Sequence, residues 1–215
     1  MTGPLPEVRW PADQPQHPLD YWLSPELAQV SAPEAPSRLR VLADAQGTVA
    51  AGWSGAIGVG AFLVLAGAYI TVLAGSPVWV IVLSLAGAAL STLGMISWKQ
   101  VRRTLPGSSR LVTRGPGSAR GGILMVTVLD AIVAAIFIIG SPSAATNGSA
   151  GTLLGAYLLF TALLTVCILI PSVVLGRARQ SFRQRIQTDA GLRAAVEQDL
   201  ATWRDPYGNA GYGPL

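Results

Sequence analysis

Residues 121–140 read GGILMVTVLDAIVAAIFIIG, an apolar stretch in which Asp130 is the only charged side chain. At 1.5 Å of rise per residue about 20 residues cross the hydrocarbon core of a bilayer, so the stretch has the length of a membrane span. It lacks the alternation of a barrel strand, and a backbone in lipid must satisfy its own hydrogen bonds, so it reads as a helix. An acidic side chain at the centre of such a helix costs about 2.5–3.5 kcal/mol on insertion scales and asks for a reason.

Outward from this stretch, the apolar tract runs from Gly121 to Gly176, again with Asp130 as its one charge. A second tract, Ala45 to Trp98, has no charge at all. Each is too long for one helix and carries breakers near its middle. Gly75-Ser76-Pro77 separates spans near 53–74 and 78–98, and the stretch from Ser141-Pro142-Ser143 to Asn147-Gly148-Ser149 separates spans near 122–140 and 152–175. Charged residues make up 12% of the chain, about half the share in a soluble domain. The expected fold is an all-α integral membrane protein: four transmembrane helices in two hairpins, with short amphipathic helices in the cytoplasmic tails. The chain divides into a Pro-rich tail (1–36), a first hairpin with a preceding interfacial helix (37–98), a basic loop (99–121), a second hairpin (122–176) and a helical tail with a Gly/Tyr-rich end (177–215).

Charge placement sets the expected orientation. Lys99, Arg102, Arg103, Arg110, Arg114 and Arg120 crowd the loop between spans two and three, and Arg177, Arg179, Arg183 and Arg185 follow span four. The turn at 75–77 and the loop at 141–151 are uncharged. By the positive-inside rule both termini are cytoplasmic, in the plasma membrane. The net charge of +4 is therefore topological and implies no nucleic-acid partner, and of 15 basic residues 14 are Arg, a bias that fits a GC-rich bacterial genome. No apolar run precedes the first tract, so residues 1–44 read as a retained tail.

The tails carry large apolar groups that a solvated linker has no use for. Trp10, Tyr21, Trp22 and Leu23 are interspersed among eight prolines in residues 1–36 and are the candidate partner-binding tail. Ser24-Pro25-Glu26 has the signature of a helix start, with a second start at Pro36 or Ser37. Span four is expected to continue unbroken past Arg177, with Pro171 as a kink. Thr188 or Asp189 is expected to cap a last helix whose Leu192, Val196, Leu200 and Trp203 share one face, followed by a flexible extension from Asp205 to Leu215. Gly52, Ala56 and Gly60, and likewise Gly151 and Gly155, offer small surfaces for close helix contact.

Asp130 has no intramembrane Lys, Arg or His to pair with. Thr127 lies on its own face, and Tyr157, Thr161 and Thr165 form a hydroxyl ladder on span four at four-residue spacing, with Ser84, Ser91 and Thr92 on span two as alternative partners. Asp130, Thr127, Tyr157, Thr161 and Thr165 are the candidate intramembrane polar site. Three readings stay open: a proton- or cation-handling group in a transport path, a hydrogen-bonded residue that fixes helix packing, or a residue whose partner belongs to another subunit.

Catalysis finds no support. His17 is the sole histidine and lies in the tail, Cys167 is the sole cysteine, and Gly115-Pro116-Gly117-Ser118 lacks the Lys-Ser/Thr of a phosphate-binding loop. No catalytic, cofactor or metal site is expected. The expected role is that of a non-catalytic accessory or assembly subunit of a larger bacterial membrane complex, such as a respiratory, secretion or envelope-synthesis assembly, contacting other integral membrane subunits and membrane lipids. The alternative is a small ion- or proton-coupled transporter or channel working through Asp130.

Overall fold

The computed structural model describes residues 17–30, 37–105, 117–146, 149–204 and 211–215. Trp10, Arg110, Arg114, the Asn147-Gly148 turn and Tyr207 lie outside them. The described residues are helical, with no strand among them. Two short helices, α1 (Leu19–Trp22) and α2 (Pro25–Val30), precede α3 (Arg38–Ala74), α4 (Val78–Val101), α5 (Ala119–Thr146) and α6 (Ala150–Leu164). A π-helical turn, Thr165–Leu169, joins α6 to α7 (Ile170–Gly176), and α8 (Ala178–Thr188) and α9 (Ala190–Thr202) follow. Four segments are long and apolar enough to cross a membrane: α3, α4, Ala119–Ile139 of α5, and Ala150–Gly176 as one span. That makes this a candidate multi-pass membrane protein.

Several boundaries differ from expectation. The interfacial helix anticipated before span one is not separate, because nothing between Arg38 and Ala74 stops the helix and its two ends are well capped. Ser37 Oγ accepts from the Arg40 amide, and Gly75 closes the far end at φ 65°, a left-handed conformation that favours glycine. Pro142 does not end span three either. Its ring removes the donor that Ile138 O would receive, and the Ser141 hydroxyl donates to that same carbonyl at 2.8 Å, which lets α5 run on to Thr146. In span four the expected Pro171 kink is a π turn, in which the Ile170 amide donates to Thr165 O, five residues back. The helix then breaks at Arg177, with φ −105° and ψ 4°, rather than continuing.

The order of the spans follows from glycine. A Cβ on Gly60 would collide with the Gly87 carbonyl and Ser91 of α4, and one on Gly94 would come within 2.8 Å of Ile57. Ser91 Oγ donates to Ile57 O at 3.2 Å, and Thr71 Oγ1 accepts from the Val80 amide at 2.9 Å, satisfying a donor in the first turn of α4. Gly58 packs instead on Val166 and Ile170, and Gly47 on Ala178. At about 100° per residue, Gly58 lies about 160° from Gly60 and about 180° from Gly67, so α4 and span four flank α3 on opposite sides. Span four is two-sided in the same way. Gly155 sits under the Tyr69 ring of α3, whereas Tyr157, two residues and about 160° further round, faces α5; Ile170 meets α3 and Ser172 meets Gly122 of α5. The spans thus stand in a row, α4–α3–span four–α5, rather than in a closed bundle.

Among the described residues the most densely buried apolar cluster is not in the row but at its basic end. Leu19, Leu23, Leu39, Leu42, Phe182, Ile186, Leu192, Val196, Tyr212 and Leu215 form one core, with Trp22, Leu105, Leu200 and Trp203 packed on it. The Leu192-Val196 stripe is therefore covered by the chain's own elements. The end expected to be flexible is partly docked: residues 211–215 lie across the amino end of α3, whose Arg38 and Leu39 amides donate to Gly211 O and Tyr212 O at 3.0 and 2.9 Å. Ser37 Oγ donates to Pro214 O at 2.8 Å, the Leu215 amide to Trp22 O, and Arg183 Nη2 to Leu215 O at 2.7 Å.

Candidate functional site

Asp130 sits on α5 facing span four. Tyr157 Oη donates to its Oδ2 at 2.8 Å and Thr161 Oγ1 to its Oδ1 at 2.6 Å. The two donors are one helical turn apart on α6, which is why a single carboxyl group receives both. Thr165, the third rung of the expected ladder, turns away: its hydroxyl donates to Thr161 O at 2.9 Å, a bond within its own helix. Thr127 is exposed on α5. The structure therefore brings together Asp130, Tyr157 and Thr161 and leaves Thr127 and Thr165 aside.

Above this cluster lies a groove of about 360 Å³ between α5 and α6, lined by Ala134, Phe137, Ile138, Ser141, Leu153, Leu154 and Tyr157 among others. Phe137 and Tyr157 meet at 5.5 Å between ring centroids. Sequence reasoning did not single out Phe137 or Leu154, since in an apolar helix no periodicity marks which faces pair. Ala134 lies four residues, about one turn, after Asp130 on the same helix.

At the basic end the side chains form ion pairs. Arg38 is bidentate to Asp199, with Nε–Oδ2 at 3.1 Å and Nη2–Oδ1 at 2.8 Å, and Tyr212 Oη donates to the same carboxylate at 3.2 Å and to Val196 O at 2.9 Å. The Asp199 bond raises the Arg38 pKa, while burial, with the Asp199 charge adding to it, pushes the Tyr212 hydroxyl well above its usual range. Arg179 is bidentate to Asp44. Gln46, 1% exposed, donates to Val101 O and Thr104 O at 2.8 and 3.0 Å, and Arg185 Nη1 to Arg102 O at 3.1 Å, so two side chains close the carboxyl end of α4. Burial, then the Arg102 charge, push Arg185 down to about 10. Arg102 itself stacks 4.5 Å over the Trp98 ring.

Of the tail residues, Leu23 is buried in the chain's own core and Trp22 packs on it, while Tyr21 remains exposed and stacks on His17 at 4.1 Å. Among the described residues no three His, Cys, Asp or Glu side chains come together as a metal site would require. Comparison with protein-family models, curated proteins and solved structures finds no significant match.

Proposed function

We propose that this chain is a non-catalytic accessory or assembly subunit of a larger membrane protein complex, crossing the plasma membrane as two hairpins with both termini and the basic-end core in the cytoplasm. The observation that carries this reading is the open row of spans. A row encloses no path between its helices and leaves two broad apolar faces. Only 6–17% of each span's most apolar window is buried within the chain. Val82, Leu85 and Ile96 on α4 and Leu124, Ile132 and Ile136 on α5 are all at least half exposed. Between transmembrane helices there is little hydrophobic drive, so such faces associate through shape and small residues, as α3 does with α4. The basic-end core gives the row a folded handle on one side of the membrane, and the tail before His17 adds a segment with Trp10 for a partner to hold.

The second reading, a small ion- or proton-coupled transporter or channel, is favoured by the Asp130–Tyr157–Thr161 cluster. In an open row it requires further copies or partners to complete a path. Purification in mild detergent separates the two. Unrelated membrane subunits recovered in fixed stoichiometry support the accessory role; a pure homo-oligomer that carries ion flux in liposomes overturns it.

A further inference from the structure

We propose that the α5–α6 groove binds a lipophilic organic cation, its charge paired with the Asp130 carboxylate and its apolar body lying against Phe137 and Tyr157. Charge complementarity names the occupant. The apolar tracts 45–98 and 121–176 carry a single acid and no Lys, Arg or His, so nothing within them supplies a positive charge to pair with Asp130. Its described hydrogen-bond partners are two neutral hydroxyls, one on each oxygen. A carboxylate has about four lone-pair sites, so these bonds leave acceptor capacity on a side chain that is itself only partly buried.

The groove supplies the rest of such a site. Ala134 lines it one turn above Asp130, and Tyr157 belongs to both: its ring is part of the wall and its hydroxyl is bonded to the carboxyl group. Phe137 beside Tyr157 offers a second aromatic face, and aromatic faces attract cations most strongly away from water. The volume of about 360 Å³ falls within the range of sites for small organic molecules. The remaining wall is aliphatic apart from Ser141, so a hydrated metal ion finds few oxygen ligands there. An uncharged acyl chain would fill the groove without engaging the acid. An apolar body bearing a delocalised positive charge matches both parts.

The test is equilibrium dialysis of tetraphenylphosphonium against the full chain in lipid nanodiscs, with empty nanodiscs subtracted and neutral triphenylphosphine oxide as a second probe. We expect one saturable site per chain, weakened about tenfold or more by Asp130→Asn, which keeps the shape of the side chain and removes its charge. Leu154→Trp, which fills the groove without touching the carboxyl group, should abolish saturable binding. The neutral probe should bind at least about tenfold more weakly than the cation. No saturable binding, equal affinity for the two probes, or binding unchanged by either substitution overturns the proposal. Recovery of partner subunits is scored separately and bears only on the accessory role.

Discussion

Replacing Asp199 by Ala should loosen the strap formed by residues 211–215, by an amount that the geometry bounds. The Arg38–Asp199 pair is bidentate, and its side chains are 18% and 20% exposed. Fully exposed pairs contribute about 0–1 kcal/mol, and breaking a fully buried one costs about 3–5, so this pair falls near 2 kcal/mol. Tyr212 loses one of its two acceptors and keeps Val196 O, adding about 0.5–1 kcal/mol. The expected total is about 2.5–3 kcal/mol, read by reversible unfolding in mixed detergent micelles. A double-mutant cycle isolates the pair: Arg38→Ala and Asp199→Ala together should cost about 1–2 kcal/mol less than the sum of the single changes. Hydrogen exchange at the Arg38, Leu39 and Leu215 amides, which donate to Gly211 O, Tyr212 O and Trp22 O, should rise in both single variants, because these bonds hold the strap at the same corner. Additivity within about 0.3–0.5 kcal/mol, with exchange at the strap unchanged, would refute the coupling of ion pair and strap.

Tyr212→Phe removes the hydroxyl bonds and should cost about 1–2 kcal/mol at neutral pH. Because burial and the Asp199 charge hold the folded phenol above its usual pKa of 10.0, the native state keeps a proton that the unfolded chain loses. Wild-type stability should therefore fall above pH 10 by up to about 1.4 kcal/mol per unit relative to the Phe variant, measured by unfolding between pH 8 and 11. Gly60→Leu should destabilise the α3–α4 pair by about 2 kcal/mol or more, since its Cβ meets the Gly87 carbonyl, whereas Gly52→Leu, with open space around it, should unfold like wild type in the same assay. Asp130→Leu should cost about 1–2 kcal/mol, and Tyr157→Phe should have no further effect in that background; an undiminished effect would show that the two side chains do not share a bond. Deleting residues 1–16, which spares Leu19 and Leu23, should weaken co-purification of partner subunits while the basic-end core still unfolds cooperatively; unchanged recovery removes the argument from Trp10.

The apolar spans were readable because length and absence of charge are properties of composition, and lipid leaves a backbone little choice but helix. The four-residue spacing of Tyr157, Thr161 and Thr165 pointed Asp130 toward hydroxyls of span four, but spacing alone did not say that Thr165 would turn back on Thr161 O or that Thr127 would stay exposed. Breakers were less reliable. Pro142 looks like a stop, yet one hydroxyl from Ser141 replaces the bond it removes, a compensation visible only once the carbonyl in question is known. The row order was hidden because α3 is apolar all round, and only close approach at Gly58 and Gly60 tells its two packing faces apart. Residues 211–215 read as extension because glycine and proline dominate them, while what holds them is the free amides of a helix that begins far earlier in the chain.

That last arrangement has a consequence for biosynthesis. Ser37 and Pro214 are 177 residues apart in the chain yet share a hydrogen bond. At ribosomal rates of about 5–20 residues per second, the amino end of α3 waits about 10–35 s for the segment that completes it. All four apolar segments are synthesised before that segment, so closure of the basic-end core follows the making of the row. A chain that lacks residues 211–215 would leave Leu39 and the neighbours of Tyr212 uncovered. Closure thus separates a finished fold from a chain in which only the four apolar segments have been made.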